Sequence, residues 1–226
     1  KLLPQPEQAR VVLAAFDTIR DAGNAVAGVI SAGILPAGLE MMDSLSVEVA
    51  EAYCNAGYPS DAAAVLLCEV DGNVAEVEAQ VKAVVRLFEK ECAGEIRVSV
   101  SEAERIKFWQ GRKAAFPAIG RIAPDYYCMD GTIPRRHLAS VLERIHELSL
   151  EFGLPIANVF HAGDGNLHPL IAYDANDDDQ LARAEKLGGR ILKLCVEVGG
   201  TITGEHGVGI EKLDAMCFQF KDHELK

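Results

Sequence analysis

The strongest constraint on the fold is a segment in which two histidines flank a tight-turn dipeptide between apolar stretches, Asn158 to Leu170. Val159 and Phe160 favour a strand, and Asp164-Gly165 is typical of a two-residue hairpin turn. With that turn, His161 lies opposite His168, and directly opposed residues share a face with Cβ atoms about 4.5–5.5 Å apart. The glycines between the histidines disfavour a helix. We therefore predict a β-hairpin that presents both imidazoles on one side.

A second segment complements the first. It runs from Gly199 to Gly209 and reads Gly-Gly-Thr-Ile-Thr-Gly-Glu-His-Gly-Val-Gly. Glycines allow positive φ angles and a close approach of the backbone to a ligand, so we predict a loop that offers Glu205 and His206. One of these two residues should face a metal and the other a substrate. Two histidines and one carboxylate, with a position left open, are typical of a catalytic divalent metal site.

Composition and charge exclude several classes of protein. The formal net charge is -12, which argues against binding to nucleic acid or to an anionic membrane surface. No apolar run reaches the roughly 18 residues of a membrane span. The six cysteines occur singly, so neither a zinc ribbon nor a disulfide scaffold is indicated. We interpret most of them as reduced core residues of a cytosolic protein.

Apolar runs and capping residues predict strands and helices in alternation. Asp43 and Ser101 are suited to cap helices, and Pro134 suits the first turn of another. The strands are short and their connections varied, which favours an α+β fold with a mainly antiparallel sheet and helices on one face. The predicted strands are 11–16, 37–42, 62–70, 95–100 and 126–130, and the predicted helices 17–31, 44–54, 74–92, 101–115, 134–152 and 176–198.

The two histidine- and glycine-containing segments carry a family resemblance. His161-Ala-Gly-Asp-Gly-Asn-Leu-His168 and Gly204-Glu-His-Gly-Val-Gly209 resemble the paired signatures of FAD-linked oxidases of the vanillyl-alcohol-oxidase type. The most similar branch contains the glycolate oxidase D subunit, D-lactate dehydrogenase and D-2-hydroxyglutarate dehydrogenase. The resemblance also covers 36–43, 108–116 and 126–134. It implies a C-terminal domain with a duplicated ferredoxin-like fold.

The resemblance also implies a role for individual residues. Glu205 would be the third metal ligand beside His161 and His168, with zinc or manganese as the cation. His206 would be the base that takes the substrate hydroxyl proton, since an unperturbed histidine titrates near pH 6.5. Arg112 would hold the substrate carboxylate, because a guanidinium binds a carboxylate in bidentate fashion. The substrate C2 hydride would then pass to FAD.

Three residues depart from the 2-hydroxyglutarate branch. Cys128 stands where that branch has lysine, Phe116 where it has threonine, and Leu170 where it has asparagine. Each change removes a polar partner for a second carboxylate, which predicts a smaller or more apolar pocket suited to glycolate or D-lactate. Glu40 and Asp43 match another family segment and are secondary candidates.

The resemblance further implies how this domain is embedded. Residues 1–226 correspond to a substrate domain truncated at both ends, and the FAD-binding domain, which would hold most of the cofactor, is missing from this sequence. The chain alone is expected to fold without retaining FAD or oxidising a hydroxy acid. Expected partners are a small 2-hydroxy acid, the FAD domain of the same chain and other oxidase subunits. A cytoplasmic location is expected, with any membrane association through those subunits.

Two other functions are compatible with the same residues. A metal-dependent hydrolase could use the two histidines, but it would need its whole site within this fold. A non-catalytic binding domain could retain the signatures, and it would bind no metal at His161 and His168.

Overall fold

Strands and helices alternate along the chain, as the sequence pattern predicts. The computed structural model describes residues 5–225. The strands are β1 (Gln8–Phe16), β2 (Gly38–Asp43), β3 (Ala64–Gly72), β4 (Ile96–Val98), β5 (Asp125–Cys128), β6 (Gly131–Thr132), β7 (Ile156–Phe160), β8 (Asn166–Leu167) and β9 (Pro169–Tyr173). The helices are α1 (Ile19–Ser31), α2 (Ser44–Cys54), α3 (Val74–Lys90), α4 (Glu102–Ala118), α5 (Leu138–Phe152), α6 (Asp178–Glu197) and α7 (Met216–Gln219). Within residues 5–225, no helix combines the length and hydrophobicity that crossing a membrane requires.

Seven strands form one sheet in the order β4-β1-β3-β2-β7-β9-β5, and each neighbouring pair is antiparallel. Strands β6 and β8 form a separate short ladder next to the sheet. The predicted α+β class and the mainly antiparallel sheet are therefore confirmed.

The sheet is built from two similar halves. In the first half, β1-α1-β2-β3-α3-β4 gives the strand order 4-1-3-2, which is the βαββαβ arrangement of a ferredoxin-like fold. In the second half, β5-α5-β7-β9-α6 repeats this arrangement, with β5, β9 and β7 in the order 1-3-2. The halves join where β2 pairs with β7, so the predicted duplication is present and has its seam at that pair.

The helices cover both faces of the sheet, which corrects the prediction that they lie on one face. Val12, Ala14 and Phe16 of β1 point into a core covered by α1, α3, α5 and α6. Val11 and Leu13 point into a second core covered by α2 and α4. The physical reason is the continuous apolar character of the central strands, since a strand that buries both faces does not alternate with polar residues.

The histidine hairpin has a different register from the predicted one. His161 pairs with Asn166 rather than with His168, and its carbonyl accepts hydrogen bonds from the backbone amides of residues 164, 165 and 166. Neighbouring segments fix this longer turn, because Gly163 N donates to Leu39 O and Ile133 N donates to Gly165 O. A shift of two residues preserves the alternation of faces, so both histidines still point to the same side.

The cysteines are less buried than predicted. The six cysteines are free thiols, as expected. Only Cys68 and Cys195 are buried, whereas Cys92 and Cys217 are exposed. The expectation that most are core residues is therefore wrong, because an apolar neighbourhood in sequence does not place a residue on the inner face of its helix.

Asp43 joins the two halves of the sheet at their seam. Its carboxylate caps α2 by accepting from Ser46 N at 2.9 Å. It also accepts from Asn158 N at 2.9 Å and from Asn158 Nδ2 at 2.8 Å, which ties β2 to β7. The side chain is buried, so its loss would leave three donors without an acceptor.

We predict that Asp43→Ala lowers the free energy of unfolding by roughly 2–4 kcal/mol, because it removes a helix cap and leaves buried amide groups without an acceptor. Asp177, which caps α6 at the exposed surface, provides the matched control. Urea unfolding of both variants checks the prediction. Equal losses for Asp43→Ala and Asp177→Ala would contradict a special role for the buried cap.

Candidate active site

The segments singled out in the sequence converge on one side of the sheet. The rings of His161 and His168 lie edge to face with centroids 5.2 Å apart. The His206 ring stacks on His168 at 5.1 Å with an interplanar angle of 8°. The hairpin from β7 to β9 and the glycine loop after α6 therefore meet, as predicted.

Glu205 lies at the centre of the three histidines. Its Oε1 atom is 3.0 Å from His168 Nε2, 3.5 Å from His161 Nε2 and 3.8 Å from His206 Nε2. Burial lowers the pKa of His168, and the neighbouring His161 lowers it further. A neutral imidazole keeps a lone pair for a cation, so His168 is suited to be a ligand at neutral pH.

The donor atoms fit a divalent cation in type and number. Ligand atoms about 2.0–2.1 Å from a tetrahedral zinc lie about 3.3 Å from one another, close to the spacing of Glu205 Oε1 from His161 and His168. The donors that lie within 4.8 Å of one another are Asp130, His168, Glu205 and His206. His161 is not in that group, so the structure does not bring all three predicted ligands within that distance of one another. His168 faces Glu205 through Nε2, and its other ring nitrogen, Nδ1, is buried without a hydrogen-bond partner among residues 5–225.

Glu40 connects the histidine cluster to Arg112. The pairing of β2 with β7, continued by one residue, sets Glu40 opposite His161. Glu40 Oε1 is 2.7 Å from His161 Nδ1, and Arg112 Nε donates to Glu40 Oε2 at 3.0 Å. A carboxylate on one ring nitrogen orients a histidine so that its other nitrogen faces a metal. Glu40, a secondary candidate in the sequence, is therefore a central residue of the site.

Arg112 is held at the site by a tyrosine packed on its helix. The Tyr58 hydroxyl donates to Phe108 O and accepts from Arg112 N at 2.9 Å. The tyrosine ring lies where a Cβ of Gly111 would be, so glycine is required there for this contact. Within residues 5–225 the terminal nitrogens of Arg112 have no hydrogen-bond partner, which leaves them free for an anionic ligand.

Asp130 organises the glycine loop, and sequence reasoning missed it. Its fully buried carboxylate accepts from the backbone amides of Gly204, Glu205 and His206. Thr203 Oγ1 donates to it at 2.8 Å and Lys212 Nζ at 3.2 Å. Burial favours a higher pKa, but these hydrogen bonds outweigh burial and hold the pKa of Asp130 well below its usual range. The only sequence signal was its place at the end of a predicted strand.

The glycine loop also depends on a close approach of its backbone to the histidine hairpin. A Cβ on Gly204 would overlap the side chain of Asn166 on the hairpin. Thr132 and Thr201 pair through their backbones and share a hydrogen bond between hydroxyl groups at 2.7 Å. Glycine at position 204 therefore allows the loop to pack against the hairpin.

Phe116, Leu170 and Cys128, the residues that depart from the 2-hydroxyglutarate branch, form an apolar environment near His168. Phe116 of α4 packs edge to face on the His168 ring, with centroids 6.2 Å apart. Leu170 is fully buried in the core beneath, and Cys128 pairs with it across β5 and β9. None of the three side chains can hydrogen-bond a second substrate carboxylate strongly.

A larger cleft lies elsewhere. It has a volume of about 470 Å³ and lies between β5, α6 and residues 210–218. Its polar lining includes Glu185, Glu211 and Asp214, and no histidine or cysteine of residues 5–225 lines it. The histidine cluster is more open, with an adjoining cavity of about 370 Å³. We place the candidate active site at the histidine cluster, since the chemically reactive groups are there.

We predict that Asp130→Asn accelerates amide hydrogen exchange at residues 204–206, because an amide has one acceptor oxygen and adds N–H groups facing the loop donors. Since the pKa of Asp130 is lowered on folding, its contribution is complete above the unfolded pKa of about 3.9 and is lost only as pH falls through the folded pKa. The effect should therefore be the same from neutral pH to mildly acidic pH. Exchange mass spectrometry of the loop provides the measurement.

Asp179→Asn, which breaks the exposed pair with Arg183, is the control and should leave the loop unchanged. The double variant Asp130→Asn/Lys212→Met should recover part of the protection, since it removes an unpaired buried charge. Unaltered exchange in Asp130→Asn would contradict the assigned role.

Comparison with known proteins identifies the family of the chain. The family described as FAD linked oxidases, C-terminal domain, matches residues 5–226. Glycolate oxidase subunit GlcD of Escherichia coli (strain K12) is 58% identical over 225 residues, covering 100% of this chain and 45% of that protein. The mitochondrial D-lactate dehydrogenase (cytochrome) of Arabidopsis thaliana is 28% identical over 210 residues, covering 92% of this chain and 37% of that protein. The chain thus spans less than half the length of either relative.

A solved structure shares the fold at low sequence identity. The 4-ethylphenol oxidase of Gulosibacter chungangensis, solved as an isoeugenol complex, superimposes with a TM-score of 0.66 at 13% identity. The match covers 89% of this chain and 46% of that one. The chain belongs to the FAD linked oxidases, C-terminal domain, and is similar to glycolate oxidase subunits and D-lactate dehydrogenases, as its two signature segments predict.

Proposed function

We propose that this chain is the substrate domain of an FAD-dependent D-2-hydroxy-acid oxidoreductase of the glycolate or D-lactate type. The observation that carries the proposal is the position of Glu205 Oε1 within 3.8 Å of three imidazole Nε2 atoms. Family membership favours an oxidase over a self-contained hydrolase. The names of the relatives supply the substrate class.

The residues of this chain divide the work of substrate oxidation. Arg112 would bind the substrate carboxylate through its terminal nitrogens, while Glu40 fixes the orientation of the guanidinium. His206, half exposed next to the cluster, would accept the proton of the substrate hydroxyl. Loss of that proton and of the C2 hydride turns a 2-hydroxy acid into a 2-oxo acid. Position 206 is thus proposed as the base and position 112 as the anchor.

Two bound groups would complete the chemistry. His161, His168 and Glu205 would hold a divalent cation, zinc or manganese, and Glu40 would orient His161 toward it. When bound, the cation would supply Lewis-acid polarisation of substrate oxygens, and the flavin would supply the hydride acceptor. We propose that most of the FAD contacts come from another domain of the parent protein, since the relatives are more than twice as long as this chain.

The surround of His168 supports a small substrate. Phe116 and Leu170 offer apolar contacts, and Cys128 offers only a weak hydrogen bond, so a second carboxylate would lack a partner. Glycolate and D-lactate have no second carboxylate.

We further propose association with other oxidase subunits, cytoplasmic location and membrane contact only through those subunits, because one relative is named as a subunit.

We predict that His206→Asn in the full-length protein lowers kcat/KM for glycolate or D-lactate by about 10²–10⁴-fold, because it removes the proton acceptor. His146→Asn, on the exposed face of α5, is the matched control. Anaerobic flavin reduction followed in a stopped-flow spectrometer measures the effect. Rapid reduction in His206→Asn at the wild-type rate would contradict the assignment of the base.

We predict that His161→Ala and His168→Ala each abolish stoichiometric metal in the full-length protein, because two ligands cannot retain a cation against buffer. Elemental analysis after gel filtration provides the measurement, with His146→Ala as the control. Unchanged metal content in both variants would leave a non-catalytic binding domain as the better interpretation.

A further inference from the structure

A second set of donor atoms overlaps the proposed cation site. The Cys128 sulfur and one nitrogen each from His168 and His206 lie within 4.8 Å of one another. This set shares His168 with the proposed site but uses neither His161 nor Glu205. A thiolate with two imidazoles is a softer ligand set than two imidazoles with a carboxylate. The same cleft therefore offers two cation positions of different chemical preference.

The three donors differ in their freedom to adjust. His168 is almost fully buried, and its Nδ1 atom has no hydrogen-bond partner. Cys128 is half-buried at the end of β5, and its sulfur makes only a long contact of 3.6 Å with Met129 O. The His206 side chain is 47% exposed and precedes Gly207, whose φ of +81° gives the loop a glycine-dependent bend. His168 is therefore held by its surroundings, the Cys128 thiol has only a weak competing hydrogen bond, and the exposed His206 side chain has room to turn.

We propose that Cys128, His168 and His206 bind a soft divalent cation such as Cd²⁺. Binding converts the Cys128 thiol to a thiolate and releases its proton to solvent, with no change of oxidation state. The cation takes the nitrogen lone pair of His206, and that lone pair can then no longer accept the substrate proton. The inhibitory consequence rests on the function proposed above, whereas the binding itself does not.

This second site gives the cleft a means of discriminating between cations. A hard cation such as Mn²⁺ favours the carboxylate of Glu205 and leaves His206 free. A soft cation favours the sulfur of Cys128 and occupies His206. The two ions cannot both bind the same nitrogen of His168. Excess soft cation should therefore inhibit turnover rather than support it.

Cadmium titration of the full-length protein tests the site. Cd²⁺ bound to a thiolate gives an ultraviolet charge-transfer absorption, which difference spectra separate from that of the flavin. The starting protein carries Cys54→Ser, Cys92→Ser and Cys217→Ser, because these thiols are not buried and would add background. Cys128→Ser in the same protein is the decisive comparison, and Cys128→Ala repeats it should serine disturb the fold.

The starting protein should show one equivalent of the charge-transfer absorption, and Cys128→Ser should lose it. Cadmium affinity should fall more than about tenfold in that variant, since even outer-shell changes cost a metal site 10–100-fold. His161→Ala should retain the absorption, which separates this site from the one proposed for the activating cation. Inhibition of turnover by Cd²⁺ should weaken in parallel in Cys128→Ser.

Two results would overturn the proposal. One is an absorption that persists in both Cys128→Ser and Cys128→Ala, and the other is its absence in the starting protein. A fully active His206→Asn enzyme would instead refute the proposed base while leaving the cadmium result intact. The failure of this inference and the failure of the proposed function are therefore distinguishable.

Discussion

The candidate site depends on the buried carboxylate of Asp130. The loop that carries Glu205 and His206 is rich in glycine. Its backbone pairs with a neighbouring segment between Thr132 and Thr201, and Gly204 N donates to Asp130 O. Such a loop has a high conformational entropy when unfolded, so local sequence alone cannot fix its shape. Asp130 fixes the shape of the loop by accepting hydrogen bonds from three consecutive backbone amides, and Lys212 balances the charge of the carboxylate.

Glu40 plays the corresponding part on the other side of the cleft. It is a buried carboxylate between two groups with different proposed tasks, the ligand His161 and the anchor Arg112. Buried ion pairs add little net stability because both charges lose hydration, but their geometry is specific. The Glu40 contacts therefore hold the proposed substrate anchor at a fixed place relative to the proposed cation site, and a change in one would be transmitted to the other.

The duplicated sheet explains why these residues meet. The halves join along β2 and β7, and the register of that pair sets Glu40 opposite His161. Asp43 strengthens the same seam by bonding Asn158 across it. Asp130 follows β5, whose partner β9 is preceded by His168. The three histidines and Glu205 come from the second half, whereas Glu40 and Arg112 precede β5 in the chain. The complete candidate site therefore draws on both parts of the sheet. The inferred thiolate site lies within the second half, where β5 supplies Cys128 and the glycine loop supplies His206.

The sequence by itself determined the element types, the antiparallel α+β class, the hairpin, the family and the histidines and carboxylate that converge. These features follow from local periodicity, turn residues and short signatures. The register of the hairpin was predicted wrongly by two residues, but His161 and His168 still share a face because side chains alternate with a period of two along a strand. Only the tertiary structure decided that helices cover both faces, that Glu40 links His161 to Arg112, and that Asp130 and Lys212 hold the loop. Those contacts join residues 72 to 121 positions apart in the chain, and no local pattern specifies which distant partner will satisfy a buried charge.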